Sequence, residues 1–220
     1  VIVQIDILLK PLYLSGFFMP MNYGRVAQSY QFLSRMVFGN ALLNAQRKAL
    51  RNLSLPCNIL MIGGGDGEIL KYFLDFEGVL DFVEISSEMV LVAQSKTNFP
   101  VSWHVQDIFS FKTDRKYDVI FMPFLLDNFT TKQCSELITH LKPMLKSGGQ
   151  VIVVDFTEKP NLWQKVLLLG MYTFFGHIAQ VEVNKIPDIE RTMAIHKLQK
   201  TLETKSFRGF IEIKKYGLNP

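Results

Sequence analysis

The chain has 220 residues, 48% of them hydrophobic, and a formal net charge of +4. That length suits one domain with a real core, and the apolar share excludes a disordered chain. The basic excess falls after Lys185 while the body before it is balanced, which reads as a solvated helix face rather than the dense, aromatic-interleaved patch of a nucleic-acid binder.

Residues 1–22 read as a leader outside the native domain. The first residue is Val, and Met19 or Met21 is an alternative start. The stretch VIVQIDILLKPLYLSGFF is apolar, but Asp6, Lys10 and Pro11 break it, so it is too interrupted for a membrane span of about 20 residues. It also lacks the basic start and cleavage site of a signal peptide. The two cysteines, Cys57 and Cys134, lie far apart and form no metal-type cluster. With no secretion signal they imply a reducing cytoplasm and no disulfide.

Residues 23–220 read as a single domain. VAQSYQFLSRMVFGNALLNAQRKAL (Val26–Leu50) has helical spacing, with a break near Gly39–Asn40. After Pro56, NILMIG reads as a buried strand and EILKYFLDF as a helix. LDFVEI is a second strand, and SSEMVLVAQSKTN a second helix capped by Ser86 or Ser87. VSWHVQD, YDVIFMPF and GQVIVVDF give strands three to five, with the helix TKQCSELITHLKPML before the last. Mostly continuous apolar strands alternating with helices predict a doubly wound, mostly parallel α/β sheet covered on both faces. Beyond Asp155, NLWQKVLLLGMYTFFGH reads as an apolar helix and PDIERTMAIHKLQKTLETK as another, with acids in its first turn and lysines near its end. FRGFIEIKKYG reads as a last strand.

Between the first strand and its helix stands GGGDG, Gly63 to Gly67. A merely tight turn needs one glycine. Four in five positions point to backbone that a ligand approaches closely, at the carboxyl end of a strand, where open α/β sheets bind ligands. The dinucleotide fingerprint G-x-G-x-x-G fails in both registers, at Glu68 and at Leu70, and no Lys-Ser/Thr follows as in a Walker loop.

The spacing that remains, G-x-G-x-G at Gly63, Gly65 and Gly67 with Gly64 and Asp66 between, resembles motif I of class I S-adenosylmethionine-dependent methyltransferases. That resemblance implies a Rossmann-like fold whose loop packs against the methionyl part and ribose of S-adenosylmethionine. It implies that Glu84, ending strand two, accepts the ribose hydroxyls, and that Asp107, ending strand three, receives the adenine amino group. Ile85, Met89 and Ile108 would supply apolar contact to the adenine; core packing is their other role. LKPMLKSGGQVIVVDF resembles the family's structural turn before strand five, with an insertion. Met61 stands where the family often has an acid. GRVAQSYQFLSRMVFG is similar to the N-terminal segment of ubiquinone/menaquinone-biosynthesis-type methyltransferases, with Tyr30 at the family's Tyr and Gln31 in place of its Asp. Tyr30 would then close over the cofactor, or else pack a helix. The resemblance covers about residues 23–156.

Aminopropyltransferases of the spermidine-synthase type share GGGDG and VEI, but use aspartates at the end of strand four; here Pro123 follows DVIFM, which ranks that reading second. A non-catalytic cofactor-binding homologue is the third. Of the DNA amino-methyltransferase motif only Pro123 and Phe124 survive, so no nucleobase site is read. Methyl transfer needs acceptor and methyl held close, and a general base only for some acceptors. Asp127 and Asn128, just past strand four, should face the site; His177 reads as a helix-end histidine, and His104 and His140 as structural. No catalytic residue and no metal is assigned. Residues 160–205 read as a helical lid, whose Leu162–Phe175 stretch (Trp163, Leu167, Leu168, Met171, Tyr172, Phe174, Phe175) covers a small apolar acceptor or packs on the sheet. The methyltransferase sheet ends in an antiparallel hairpin. Since only Leu218, Asn219 and Pro220 follow the last strand, the final antiparallel strand is expected to be missing, leaving an open edge.

Overall fold

In the computed structural model, residues 38–73, 76–167 and 187–218 are described. The leader 1–22, Tyr30, His177 and Leu168–Phe175 lie outside them.

Leu60 and Ile62 bury against one helical layer while Ile59 and Met61, one residue out of phase, bury against the other. A strand buried on both faces has to be apolar at every position, which is why CNILMI carries no alternation. This strand, β1 (Cys57–Ile62), pairs in parallel with β2 (Gly78–Glu84) on one side and with β4 (Tyr117–Pro123) on the other. β3 (Ser102–Val105) lies outside β2, and β5 (Leu145–Phe156) outside β4. The sheet has seven strands in the order β3-β2-β1-β4-β5-β7-β6. The chain works outward from β1 to β3, then returns to β4 at β1's other flank. The strand order therefore reverses between β1 and β4, and ligands bind beyond the carboxyl ends at such a switch point.

Helix α1 (Ala41–Ala49) places Ala45 and Ala49 against the Ile59 and Met61 face. Gly39, at φ +53, precedes it where the sequence predicts the break. Helix α2 (Ser87–Gln94) is capped by Ser86, whose Oγ accepts the Met89 N–H. Helix α3 (Thr131–Leu141) begins with a reciprocal capping box between Thr130 and Gln133 and buries Cys134, Leu137, Ile138 and Leu141 on the Leu60 and Ile62 face. A short helix α4 (Ile189–Ile195) adds Ile189 and Met193 to the same layer.

The expectation of a missing antiparallel strand is overturned. Both β6 (Leu198–Ser206) and β7 (Ile211–Leu218) are present, with β7 antiparallel to β5 and inserted between β5 and β6. The edge of β5 is covered. The helix expected to run on to Lys205 ends instead at Ile195, so the helical lid does not include residues 198–205. LQKTLETKS is rich in helix formers, but pairing along β7 overrides that weak preference. Its exposed Lys and Glu side chains suit an edge strand.

The helix expected after the glycine loop is also shorter. Only a 3₁₀ segment forms, Glu68–Tyr72. Its i→i+3 bonds, Leu70 to Gly67 and Phe73 to Leu70, tighten the turn. Phe73 then packs on Phe76 and Phe99, with ring centroids 5.3 and 5.9 Å away. Trp163, in the helical segment at 162–167, packs on Phe210 at 5.8 Å.

Candidate active site

The glycine loop leaves β1 with the Gly63 N–H still bonded to the Val83 carbonyl of β2, 2.9 Å away. Gly65 has φ +56, and its N–H donates to Glu84 Oε2 at 3.1 Å. An L side chain would strain that backbone. Gly67 shares that left-handed backbone, at φ +66, and both Gly64 and Gly67 are bare also for lack of room. A Cβ on Gly64 would come within 2.4 Å of the Phe82 ring, and one on Gly67 within 2.6 Å of Ala93 Cβ. These two glycines seat the loop on β2 and α2, so half of the glycine signal is packing within the chain.

Glu84 is 1% exposed at the end of β2. One carboxylate oxygen accepts the Gly65 N–H, and the other accepts the Ser86 N–H at 3.1 Å. Two backbone donors from two different loops hold its orientation. Asp107 follows β3 and accepts the Phe109 N–H at 3.0 Å, capping the turn Ile108–Ser110. Gly63, Glu84, Ile85, Asp107 and Ile108 line one cleft, together with Ile62, Val83, Gln106, Phe109, Leu125, Phe129 and Gln133. A bare loop, an oriented carboxylate and apolar walls at Ile85, Ile108 and Phe109 fit a nucleoside carrying an amino-acid tail.

Met89 and Asp66 are not among the described residues that line this cleft. Met89 is buried in α2 and is not part of the cleft wall. Asp66 accepts from Lys96 Nζ at 2.6 Å, and Lys96 also pairs with Glu68 at 3.0 Å, tying the loop to the chain after α2. Met61, at the family's acidic position, is fully buried in the core. Tyr30 lies outside the described residues. The sequence offers no marker for Gln106, Phe109, Phe129 or Gln133, which reach the cleft only through the turns that carry them.

Past β4 the backbone is strained. Phe124 sits at φ +49, rare for a bulky residue. The turn Leu126–Asn128 follows, flanked by the cleft residues Leu125 and Phe129. Asp155, near the end of β5, holds this turn: its Oδ2 accepts the N–H groups of Leu126 (3.0 Å) and Asp127 (3.2 Å), and its Oδ1 accepts that of Phe156 (2.8 Å). Burial pushes the proton affinity of both Asp127 and Asp155 up, and for Asp155 the neighbouring Asp127 charge adds to it. With three N–H donors on Asp155 and one side-chain donor on Asp127, the hydrogen bonding favours Asp155 as the anion and Asp127 as the proton carrier. Cys134 is inert below this pair: burial, then the charges of Asp155 and Asp127, push its thiol up to about 12.

A second buried carboxylate lies in mid-sheet. Asp81 of β2 accepts from Tyr117 Oη at 2.9 Å, pairs with His104 Nε2 at 2.7 Å, and is gripped by Arg115. The one sequence sign of it is an acid inside the apolar strand GVLDFVE. His104 and His140 are structural as expected; His140 Nε2 bonds the Phe111 carbonyl at 2.8 Å.

Comparison with known proteins bears on the domain and the fold. Residues 59–149 match a family model described as a methyltransferase domain. A curated protein of Invertebrate iridescent virus 6, named "Putative methyltransferase 235L", is 27% identical over 133 residues, 60% of this chain. The chain spans about half of that relative's length, 46%. Among solved structures, magnesium protoporphyrin IX methyltransferase (ChlM) from Synechocystis PCC 6803 with bound S-adenosylhomocysteine aligns with a TM-score of 0.63 at 15% identity. The alignment covers 92% of this chain and 90% of ChlM. N-methyltransferase NodS from Bradyrhizobium japonicum WM9, also with S-adenosylhomocysteine, aligns at 0.61 and 15%, covering 81% and 86%. Sheet order and glycine loop thus define a class I, Rossmann-like methyltransferase fold. Residues 59–149 thus resemble a methyltransferase domain, set in a fold that this chain shares with solved structures holding S-adenosylhomocysteine.

Proposed function

We propose that the chain transfers the methyl group of S-adenosylmethionine to a small acceptor with a largely apolar body. One arrangement carries this reading: the Glu84 carboxylate, held by the Gly65 and Ser86 N–H groups at the wall of a cleft that Ile85, Asp107 and Ile108 complete. Glu84 would bind the ribose hydroxyls, Asp107 and the backbone after it the adenine edge, and the loop Gly63–Gly67 the methionyl part. When bound, the sulfonium supplies an already activated methyl group. The chain then has to fix the acceptor in line with that methyl and keep water away. The turn after β4 and the segment after β5 border the same end of the sheet and are the acceptor side of this reading. Both cysteines are free and buried, which supports a reducing compartment such as the cytoplasm. Among the described residues no helix is long and apolar enough to cross a membrane.

Calorimetry with S-adenosylmethionine, its decarboxylated form and NAD tests the cofactor. Binding of the first alone is expected. Binding of the second alone would give the aminopropyltransferase reading, and of NAD alone would discard both. A screen with labelled methyl donor then tests turnover, and transfer only to peptides or nucleic acid would overturn the small acceptor.

A further inference from the structure

We infer that Lys96, outside the residues that line the cleft, is a positioning residue for the cofactor. Its ion pair with Asp66 holds the glycine loop in the shape that receives the methionyl part; this deepens the methyltransferase reading and rests on it. The loop runs through left-handed backbone at Gly63, Gly65 and Gly67, and neighbouring elements fix that shape. β2 takes the Gly63 and Gly65 N–H groups on the Val83 carbonyl and the Glu84 carboxylate. The end of α2 supplies Ala93, against which Gly67 packs. The third support is charged. Asp66 Oδ1 accepts the Glu68 N–H at 3.3 Å, and its Oδ2 accepts from Lys96 Nζ at 2.6 Å. Lys96 follows Ala93 by one turn, its own N–H on the Ala93 carbonyl at 3.0 Å, so one end of one helix seats the loop twice.

The pair is placed to matter. The Lys96 and Asp66 side chains are 15% and 18% exposed, so water and salt screen them only in part. With Lys96 gone, Asp66 would keep its charge where little water reaches it. The relief available is to swing outward, which turns the backbone of Gly65 and Gly67 on either side of it. Glu68, the other acid that Lys96 pairs with, at 3.0 Å, would still have Lys71 at 2.8 Å, so Asp66 is the acid that moves.

The two halves of the ligand should feel this differently. On the proposed reading the nucleoside rests on Glu84, which also has the Ser86 N–H, and on Asp107, which caps its own turn through the Phe109 N–H. Neither support passes through Lys96. The amino-acid tail rests on the loop, which does. Loss of Lys96 therefore weakens the grip on the tail and leaves the grip on the nucleoside. This also gives Asp66 its role. The acid of GGGDG turns to a lysine 30 residues further on and acts on the ligand through the backbone it holds.

The test titrates the full chain calorimetrically with S-adenosylhomocysteine and with adenosine, which lacks the amino-acid tail. Lys96→Met should bind S-adenosylhomocysteine about fivefold more weakly or worse, and adenosine within about twofold of the wild type. Lys96→Arg, which keeps the charge, should restore most of the loss. Asp66→Asn should show the same split between the two ligands, and the double variant should lose no more than Lys96→Met alone, because both changes remove one pair. Unchanged S-adenosylhomocysteine affinity in Lys96→Met, or an equal loss for both ligands, overturns the inference. So do losses that add in the double variant, which would mean that Asp66 meets the ligand itself. If Lys96→Met does not fold, Asp66→Asn breaks the pair from its other side and decides by the same split. Failure of the wild type to bind S-adenosylhomocysteine would instead sink the methyltransferase reading beneath it.

Discussion

Asp81 and the Asp127–Asp155 pair are buried carboxyl groups on one sheet, and the chain surrounds them in opposite ways. Asp81 sits in mid-strand and meets Arg115, His104 and Tyr117. Burial works against its charge, but these hydrogen bonds and the Arg115 charge hold its proton affinity below the usual carboxylate range. The Asp127–Asp155 pair sits at the carboxyl ends of β4 and β5, where burial, and for Asp155 also the Asp127 charge, raises its proton affinity more than the backbone N–H groups lower it. A carboxylate with every demand met is a strut. Carboxyls whose proton affinity burial raises, at the end of the sheet where ligands bind, mark a candidate site.

Removing the strut should have the largest effect. Asp81→Ala leaves the buried Tyr117 hydroxyl without its partner and is expected to cost about 3 kcal/mol in denaturant melts. That is the low end for breaking a buried pair, because Arg115 and His104 can still reach water. Asp155→Ala orphans three N–H groups but also relieves the repulsion with Asp127, so about 1–2 kcal/mol is expected. Asp127→Asn should change stability at neutral pH by less than about 1 kcal/mol, since it replaces a protonated carboxyl with an amide of the same shape. If Asp127→Asn destabilises as much as Asp81→Ala, the contrast between strut and site is false.

The pH dependence sharpens the same contrast. Asp81 has a lowered folded value, so its contribution is present above the unfolded carboxylate range and is lost as pH falls through the folded value. The Asp127–Asp155 pair has raised folded values. Its contribution is complete below the unfolded value and is lost as pH rises through the folded ones. Melting temperatures across pH should therefore show that Asp81→Asn removes part of the acid-side loss, and Asp127→Asn part of the loss above the ordinary carboxylate range.

The first half of the sheet can be read from sequence because each strand is a short apolar run with its turn chemistry attached. Ser86 and Thr130 announce their helices, and GGGDG with VEI places loop and carboxylate at neighbouring strand ends. The far edge cannot be read this way. LQKTLETKS is a strand only because β7 lies beside it, and its own composition favours a helix. The acid pair is hidden for a similar reason: Asp127 and Asp155 are 28 residues apart and meet only when β4 and β5 pair. Asp81 is visible as an odd acid in an apolar strand, but its partners on β3, on β4 and before β4 are not. Gly64 and Gly67 show the limit of a motif, since the sequence cannot separate a glycine bared for a ligand from one bared for Phe82 or Ala93.

The most direct measurement is a calorimetric titration of S-adenosylhomocysteine into the wild type and into Glu84→Gln, with melting temperatures to establish that both are folded. Hydrogen bonds to a buried charge are worth about 1.5–3 kcal/mol, so Glu84→Gln should bind at least about tenfold more weakly. Equal affinity in the two folded proteins would mean that the Glu84 carboxylate does not grip the nucleoside, and would contradict the site described.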